Sequence, residues 1–517
     1  IEIIGWRKKE ERFDRVAHEL ARLLPPAYGF TAITGAFLGF FLFTLFPSVM
    51  GYMSDIFAPS MWIYPAIMIL ESATLYFWFY LWDRLQGPNK WIHLLLGVLL
   101  NIFGTTVMFI ANGWASFMMS PAGIGEGGEL LSIWSAIANP TWWPLNLHRL
   151  VANVTFGALL CGAYAAYRFL NSRDPQERAY YDWMGYIGNM VALFTLLFLP
   201  FLGYYLGYEI YQFSPQMGVT LMGGVLSWLF IIQATVIAAL FLGAAYYSWM
   251  GLWRIPGSEP YRRWTTLFIV ITIVGFAVWA TPHTLAASPE EATGGFHPVL
   301  SALGLMAPKM LAVTLILLVL YVSYMFYRRA GKAITGGRGL NQVTWGIIAL
   351  GTAAIIGLGV HGFFASAAVR IQESIYQMII LIAIIVITFT LDTIRLRGAK
   401  VLKAVEWGRV PARSQYVLIS LAFIIVWLMG LMGYARSALR LNWHVYLVME
   451  DTSQWAGLPS LGQVASVVTV ITLIFFVLLG VSFAISFLSS RGHAEGVPDV
   501  TPVPLAANPG PAGEAKA

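Results

Sequence analysis

The chain has 517 residues, of which 58% are hydrophobic and only 11% are charged, and its formal net charge is +6. Since a soluble globular domain carries about 25% charged residues, this composition excludes a water-soluble protein and indicates a surface that faces lipid. The positive charge does not indicate nucleic-acid binding, because it is concentrated on one side of the predicted membrane. The single cysteine, Cys161, excludes an intrachain disulfide framework.

Runs of about 20 apolar residues are long enough to cross a hydrocarbon core of ~30 Å, and the chain contains twelve of them. Backbone groups in lipid must be paired within each segment, so the runs predict helices and an all-α fold, a polytopic transmembrane bundle. In chain order the runs cover residues 29–50, 61–82, 91–118, 149–170, 182–208, 221–250, 264–282, 304–327, 343–365, 372–394, 414–435 and 461–489.

The lysines and arginines predict which side of the membrane each connecting segment occupies. If the N-terminus is cytoplasmic, the inner segments hold 26 of the 31 Lys and Arg residues. We therefore expect cytoplasmic N- and C-termini in a bacterial-type inner membrane. Residues 1–28 form a cytoplasmic N-terminal segment, and residues 490–517, rich in Pro, Ala and Gly, form a disordered cytoplasmic tail.

One carboxylate, Glu71, lies in the middle of the predicted helix 61–82. A charged group inside a membrane helix is costly, which makes Glu71 a candidate for a proton route or for a site near a cationic or redox centre. The alternative is a buried carboxyl group that forms a hydrogen bond to a neighbouring helix or, locally, to Ser72.

The histidines and methionines are candidate ligands for a haem iron, since the chain has no C-x-x-C-H segment for covalent attachment. His148 opens the predicted helix 149–170 at the outer face, and Met378 and Met310 share its predicted depth. A Met thioether opposite His raises the potential of a haem, although most methionines simply fill gaps between helices. His361 and His93 are further candidates, and a histidine at a helix end can equally be an interfacial hydrogen bonder.

Six short segments occur in the order found in one known family. They are G-Y-M-S-D-I-F-A-P at 51–59, L-E-S at 70–72, W-D-R-L at 82–85, A-N-G-W at 111–114, N-P at 139–140 before His148, and W-H-V-Y at 443–446 with Arg440 before it. Together they resemble subunit I of the cytochrome bd quinol oxidases, over residues 1–208 and 372–489.

The resemblance implies that His148 is one axial ligand of a low-spin haem b. It implies that Met378 is the other axial ligand, with Met310 as the alternative, and that Arg440 and Trp443 belong to the region that binds this haem. Haem b, held without a covalent bond, is therefore the expected cofactor. One low-spin haem is expected, and the number of further haems stays open.

The chain also departs from the family. Ile63 stands where the family has a glutamate eight residues before the position of Glu71, which itself matches a carboxylate on the family's proton route. Ser437 stands where the family has another glutamate. The family's first helix, which carries a further haem-ligand histidine, has no counterpart, so we expect residues upstream of Ile1. Residues 212–371, with four apolar helices, replace the family's hydrophilic quinol-binding loop.

These observations predict a membrane-embedded b-type cytochrome subunit that transfers electrons within a respiratory complex. An oxidase subunit that reduces oxygen is the alternative, weakened by the two missing glutamates, and a secondary transporter without haem is a third interpretation. The expected partners are other membrane subunits, the lipid bilayer, and a c-type cytochrome at the outer face or a quinone. The predicted domains are residues 29–211 and 372–489 for the haem-binding helices and residues 212–371 for the additional helices.

Overall fold

The computed structural model of the chain describes residues 1–283, 305–334, 337–402 and 405–451, together with residues 470, 474 and 477. Apart from those three residues, the predicted helix at 461–489 lies outside the described residues, as does the predicted tail at 490–517. The α-helices are α1 Glu2–Lys8, α2 Glu11–Ala21, α3 Leu24–Leu45, α4 Pro47–Ile56, α5 Ala58–Tyr80, α6 Lys90–Phe117, α7 Ile133–Ile137, α8 Trp142–Asn171, α9 Pro175–Phe213, α10 Pro215–Leu221, α11 Ser227–Gly251, α12 Glu259–Arg262, α13 Thr265–Trp279, α14 Met306–Arg329, α15 Arg338–His361, α16 Ala367–Leu396 and α17 Ala412–Ala438. The strands form two antiparallel pairs, β1 Lys332–Ala333 with β2 Lys400–Val401, and β3 Trp443–Val445 with β4 Met449–Glu450.

Ten helical segments of the described residues are long and apolar enough to cross a membrane, and the bent pair of α4 and α5 makes an eleventh. Each of the first eleven predicted helices, from 29–50 to 414–435, overlaps one of them. Large apolar side chains lie exposed along these helices, with Phe40 at 64% and Trp62 at 83% exposure, and such a surface suits contact with lipid. The all-α, multi-pass fold predicted from the sequence is confirmed.

The chain divides into two compact units, and the first comprises residues 1–150, 202–218 and 436–481. Within it α5 packs against α6, and α3 contacts both α4 and α5. Val445 of β3 is fully buried in an apolar cluster with Phe57 and Phe117. This cluster attaches the β3–β4 hairpin to the end of α6.

A sharp corner joins α4 to α5. The two helices meet at 90°, and α4 occupies the stretch between the predicted helices 29–50 and 61–82. Pro47 and Pro59 lie in the first turns of α4 and α5. Proline is tolerated there because N–H groups in the first turn have no partner within the helix. Phe57 at the corner is fully buried, and its ring centroid lies 5.2 Å from that of Phe117.

The second unit comprises residues 151–201, 219–435 and 482–517. Most of the apolar residues of α14 are buried, and α14 packs against α11, α13, α15 and α16. The four additional helices predicted at 212–371 are therefore α11, α13, α14 and α15. They share one apolar core with α16 and α17.

A buried ion pair links α9 to the segment that follows α11. Asp182 Oδ1 lies 2.8 Å from Arg254 Nη2, and neither side chain has any exposed surface. Arg254 Nη2 also donates to Tyr247 Oη at 2.7 Å, and the backbone N–H of Gly408 donates to Asp182 Oδ2 at 2.9 Å. Because removing two charges from water is costly, these bonds offset the desolvation and fix the three segments to one another.

Candidate functional site

His148 lies on α8 and is half-buried. The helix begins at Trp142, before the predicted start at 149, because Pro144 fits the first turn of a helix. The imidazole faces Gly203 of α9, where a methyl carbon would lie 3.7 Å from Nε2. No described residue forms a hydrogen bond to either ring nitrogen. His148 therefore has a nitrogen available to bind a metal.

Side-chain amides hold α8 against α6 close to this histidine. Asn112 of α6 is fully buried, and its Nδ2 donates to Asn146 Oδ1 at 2.7 Å. Arg149 Nη1 donates to Asn112 Oδ1, so the amide of Asn112 bridges two residues of α8. Since Asn146 and Arg149 flank His148 in the chain, these bonds fix the segment of α8 that carries the imidazole.

Three arginines, Arg149, Arg436 and Arg440, lie together in the first unit and are called the arginine group below. The guanidinium of Arg436 is close enough to those of Arg149 and Arg440 for like-charge repulsion. Arg440 is 7% exposed and donates from Nη1 to the carbonyl oxygen of His444. Arg436 Nη1 and Arg440 Nε are buried without a hydrogen-bond partner in the described part of the chain. Unpaired buried N–H groups beside like charges favour the binding of an anion.

Trp443 follows Arg440 in the β3–β4 hairpin and is half-buried. Its ring centroid lies 6.4 Å from that of Tyr446. His444 is engaged within the hairpin, since its Nδ1 lies 3.0 Å from Asp451 Oδ1. Burial lowers the pKa of His444, and although Asp451 opposes this effect, the positive charge of Arg440 adds to it. The hairpin thus holds Arg440 and Trp443 in fixed positions.

The two candidate methionines lie in the second unit. Met378 is half-buried and lies about three turns into α16, which begins at Ala367 and so places it further from the helix end than predicted. Met310 lies in the second turn of α14 and is 6% exposed. Because His148 belongs to the first unit, its pairing with Met378 or with Met310 stays a prediction.

Glu71 lies mid-helix in α5, as predicted, and is half-buried. Its carboxylate faces α6 at Gly104, where a methyl carbon would lie 2.8 Å from Oε1. The predicted local partner, Ser72, instead donates to the carbonyl oxygen of Met68 at 2.7 Å and shares a 2.7 Å hydrogen bond with Tyr28 Oη. Among the described residues the carboxylate of Glu71 has no hydrogen-bond partner. A role for Glu71 in proton transfer stays a prediction.

Two other histidines are engaged by carboxylates. His93 is fully buried, with Nδ1 2.6 Å from Glu2 Oε1 and Nε2 2.9 Å from a backbone carbonyl oxygen of α5. Burial raises the pKa of Glu2, but His93 and Lys90 outweigh it, and the pKa lies below its ordinary value. His361 Nδ1 pairs with a carboxylate of α16. Neither histidine is as free as His148 to bind a metal.

The sequence indicates Arg440 but does not single out Arg149, Arg436 or Gly203. One signal was available, because Arg436 and Arg440 are four residues apart, a spacing that brings side chains together at a helix end. Gly203 is one of 49 glycines, and nothing local distinguishes it from the others. Its contact with His148 follows only from the fold.

Comparison with known proteins gives a family match to the first part of the chain and a structural match that covers more of it. Residues 1–225 match the sequence model of the family described as cytochrome bd terminal oxidase subunit I, and no curated protein matches the chain. Among solved structures, the chain is similar to one titled "The structure of bd oxidase from Geobacillus thermodenitrificans". The identity is 16%, the match covers 77% of this chain and 90% of that chain, and the TM-score is 0.40. The family match includes His148 and Glu71, whereas the predicted resemblance of residues 372–489 stays a prediction. Residues 1–225 of this chain are therefore similar to the cytochrome bd terminal oxidase subunit I family.

Proposed function

We propose that this multi-pass membrane protein is a b-type cytochrome subunit that transfers electrons within a respiratory complex. The match of residues 1–225 to the bd subunit I family supports a haem-containing subunit of the oxidase type in general. The finer assignment, one low-spin haem b at His148, is supported by the side chains around that residue.

One observation carries the proposal: a free imidazole and a group of three arginines with unpaired buried N–H groups occur in the same unit. A haem b needs an axial ligand for its iron and cations for its two propionate carboxylates. His148 offers an unpartnered ring nitrogen among the described residues. Arg436 and Arg440 offer buried N–H groups without partners in that same part of the chain. The residues present therefore fit the group at both its iron and its carboxylates.

Met378 is the proposed second axial ligand, and Met310 is the alternative. Ligation by His and Met raises the potential of a haem relative to ligation by two histidines. When bound, the haem supplies reversible one-electron transfer. The chain's own residues hold the group through His148, counter its carboxylates through the arginine group, and exclude water by burial.

Electron transfer is favoured over oxygen reduction as the role of this chain. Ile63 and Ser437 occupy positions where the family has glutamates, and Ile63 is 50% exposed on α5. Neither side chain supplies the ionisable carboxylate that the family has at these positions. The proposed partners are other membrane subunits and a c-type cytochrome or a quinone that exchanges electrons at the predicted outer face. Glu71 is the carboxylate proposed for a proton route.

The proposal is tested by a reduced-minus-oxidised optical spectrum of the purified full chain. We expect a low-spin b band in the wild type, its loss in His148→Ala, and its retention in the control His361→Ala. A normal low-spin band in His148→Ala would contradict the ligand assignment. Additional high-spin bands in the wild type would favour oxygen reduction, and a wild type without haem would overturn the proposal.

The second axial ligand is tested by comparing Met378→Leu with Met310→Leu. Since a Met thioether raises the potential, replacing the true ligand lowers the midpoint potential and changes the low-spin band. We expect this change in Met378→Leu and an unaltered potential in Met310→Leu. The reverse pattern would assign the ligand to Met310.

A further inference from the structure

The helices α14 and α16 are joined by a buried ion pair at one end of the second unit. Arg329 is 4% exposed, and its Nε donates to Asp392 Oδ1 at 2.7 Å, while Asp392 is fully buried. Arg328 contributes a second guanidinium, whose Nη1 lies 3.4 Å from Asp392 Oδ2 and whose Nη2 donates to Thr393 Oγ1 at 3.0 Å. One carboxylate therefore faces two arginines.

A third arginine, Arg395 of α16, is held at the same place by Asn341 of α15. Asn341 Oδ1 accepts a hydrogen bond from Arg329 Nη1 at 3.2 Å and another from Arg395 Nη1 at 2.7 Å. One neutral amide oxygen thus holds two guanidinium groups close together without cancelling their charge. Such an arrangement is unfavourable unless a negative charge is supplied.

The local charge is strongly positive. Arg328, Arg329, Lys332 and Arg395 surround Asp392, which carries the only negative charge among the groups that interact with them in the described residues. Burial lowers the pKa of Lys332, the charge of Arg328 adds to this effect, and Asp392 opposes it. The local cations therefore outnumber the anion that is present.

Three guanidinium nitrogens of this cluster are buried and form no hydrogen bond in the described part of the chain: Arg328 Nη1, Arg329 Nη2 and Arg395 Nε. Of these, Arg328 Nη1 has only its ion pair with Asp392. Arginines at the cytoplasmic ends of membrane helices are expected from topology alone, but those side chains normally extend towards water. Arg329 does the opposite, because it is almost completely buried and held by two acceptors.

We propose that the side chains of Arg328, Arg329, Asn341 and Arg395 together form a binding site for a phosphate group, called the phosphate pocket below. A guanidinium presents a planar fork of N–H donors that matches the oxygens of a phosphate, and paired forks bind it more specifically than a point charge does. The phosphate belongs either to the headgroup of an anionic membrane lipid or to a soluble phosphate compound. The position at the predicted cytoplasmic ends of spanning helices suits the lipid.

The phosphate pocket is tested by thermal unfolding of the purified full-length protein, because a ligand that binds the folded state raises its stability by mass action. The probes are phosphatidylglycerol, phosphatidylcholine and inorganic phosphate, added to separate samples at equal ionic strength. We expect phosphatidylglycerol to raise the melting temperature and phosphatidylcholine to leave it unchanged. An equal rise with inorganic phosphate would assign the ligand to a soluble phosphate.

Variants separate the phosphate pocket from general membrane electrostatics. Arg395→Gln removes a free donor while the ion pair between Arg329 and Asp392 remains, and we expect it to weaken the apparent affinity by about fivefold. Arg397→Gln removes the same charge from an exposed position at the same helix end and is expected to bind as the wild type. Arg328→Gln provides a second test should Arg395→Gln fold poorly. Absence of any stabilisation, or an equal loss in Arg397→Gln, would overturn the proposal.

Discussion

His148 and Gly203 face each other across the contact between α8 and α9, and a methyl carbon at Gly203 would lie 3.7 Å from Nε2 of the imidazole. That distance is an ordinary van der Waals contact, so alanine would fit. A larger side chain would occupy the space beside the nitrogen that is proposed to bind iron. A substitution at Gly203 therefore tests the proposed haem site without changing the proposed ligand, His148.

We expect Gly203→Leu to lower the haem content of the purified protein, while Gly203→Ala retains it. Overfilling a packed site costs about 1–3 kcal/mol, which corresponds to roughly 5- to 150-fold in affinity. The measurement is haem per protein by optical quantification. Gly157→Leu is the matched control, since Gly157 lies on α8 and a methyl carbon there would meet no described atom within 4 Å. Equal haem content in the two leucine variants would remove Gly203 from the site.

Arg436→Gln is expected to lower the midpoint potential of the haem. A positive charge near the haem favours the reduced form, so its loss favours the oxidised form. We expect a decrease on the order of 20–60 mV, where 59 mV is a tenfold change for one electron. Redox titration followed optically measures it. Arg173→Gln, at an exposed position in the second unit, should leave the potential unchanged, and a rise in Arg436→Gln would contradict the arginine group's proposed role.

Asp182→Asn is expected to destabilise the protein strongly, because it leaves the fully buried guanidinium of Arg254 without its counter-charge. Breaking a buried pair from one side costs about 3–5 kcal/mol. Thermal unfolding measures the loss. Glu259→Gln is the control, since it breaks an exposed pair with Arg262 that contributes little. Similar melting temperatures for the two variants would show that the buried pair does not stabilise the fold.

The stability of the protein should also depend on pH through His283, which lies just beyond α13. Burial lowers the pKa of His283 from 6.5 to about 4, and the charges of Lys309 and Arg370 add to the effect. The unfolded chain therefore binds a proton at His283 more readily than the folded chain does. The contribution of neutral His283 to the free energy of unfolding is complete above about pH 6.5 and is lost as the pH falls towards 4.

We expect the free energy of unfolding to decrease by roughly 1–2 kcal/mol as the pH falls from about 6.5 to about 4, allowing for the partial exposure of His283. Unfolding of the wild type and of His283→Gln at about pH 7 and about pH 4.5 measures it. The variant should lose part of the pH dependence that the wild type shows. Identical pH dependence in the wild type and His283→Gln would exclude His283 as its source.

The helices could be predicted because the length of an apolar run is a local property of the sequence. The ends were less accurate: α8 begins at Trp142 and α16 at Ala367, since the end of a helix depends on its terminal backbone bonds and packing and not only on the apolar run. The helix α4 was missed for a similar reason. Its ten residues are too short for a membrane span, and the corner at Phe57 depends on packing against α6.

The site could be predicted only where a motif marked it. The family-like N-P segment before it identified His148 as a candidate ligand, and its place in an apolar helix identified Glu71 as a candidate for a proton route. The arginine group could not be assembled from the sequence, because Arg149 and Arg436 come from segments far apart in the chain. The pair of Asp182 with Arg254 was missed likewise, since each residue taken alone looks like an ordinary charge at a helix end.

The phosphate pocket and His148 belong to different units, and this separation has a practical consequence for handling the protein. Stripping lipid during purification would deprive Arg329 and Arg395 of their counter-ion and lower the melting temperature, yet the colour of the preparation would persist. An intact spectrum therefore reports that the haem ligands are in place, and it does not report whether the phosphate pocket is occupied. Expression in a host whose membrane is poor in anionic lipid should likewise lower the melting temperature without changing the haem spectrum.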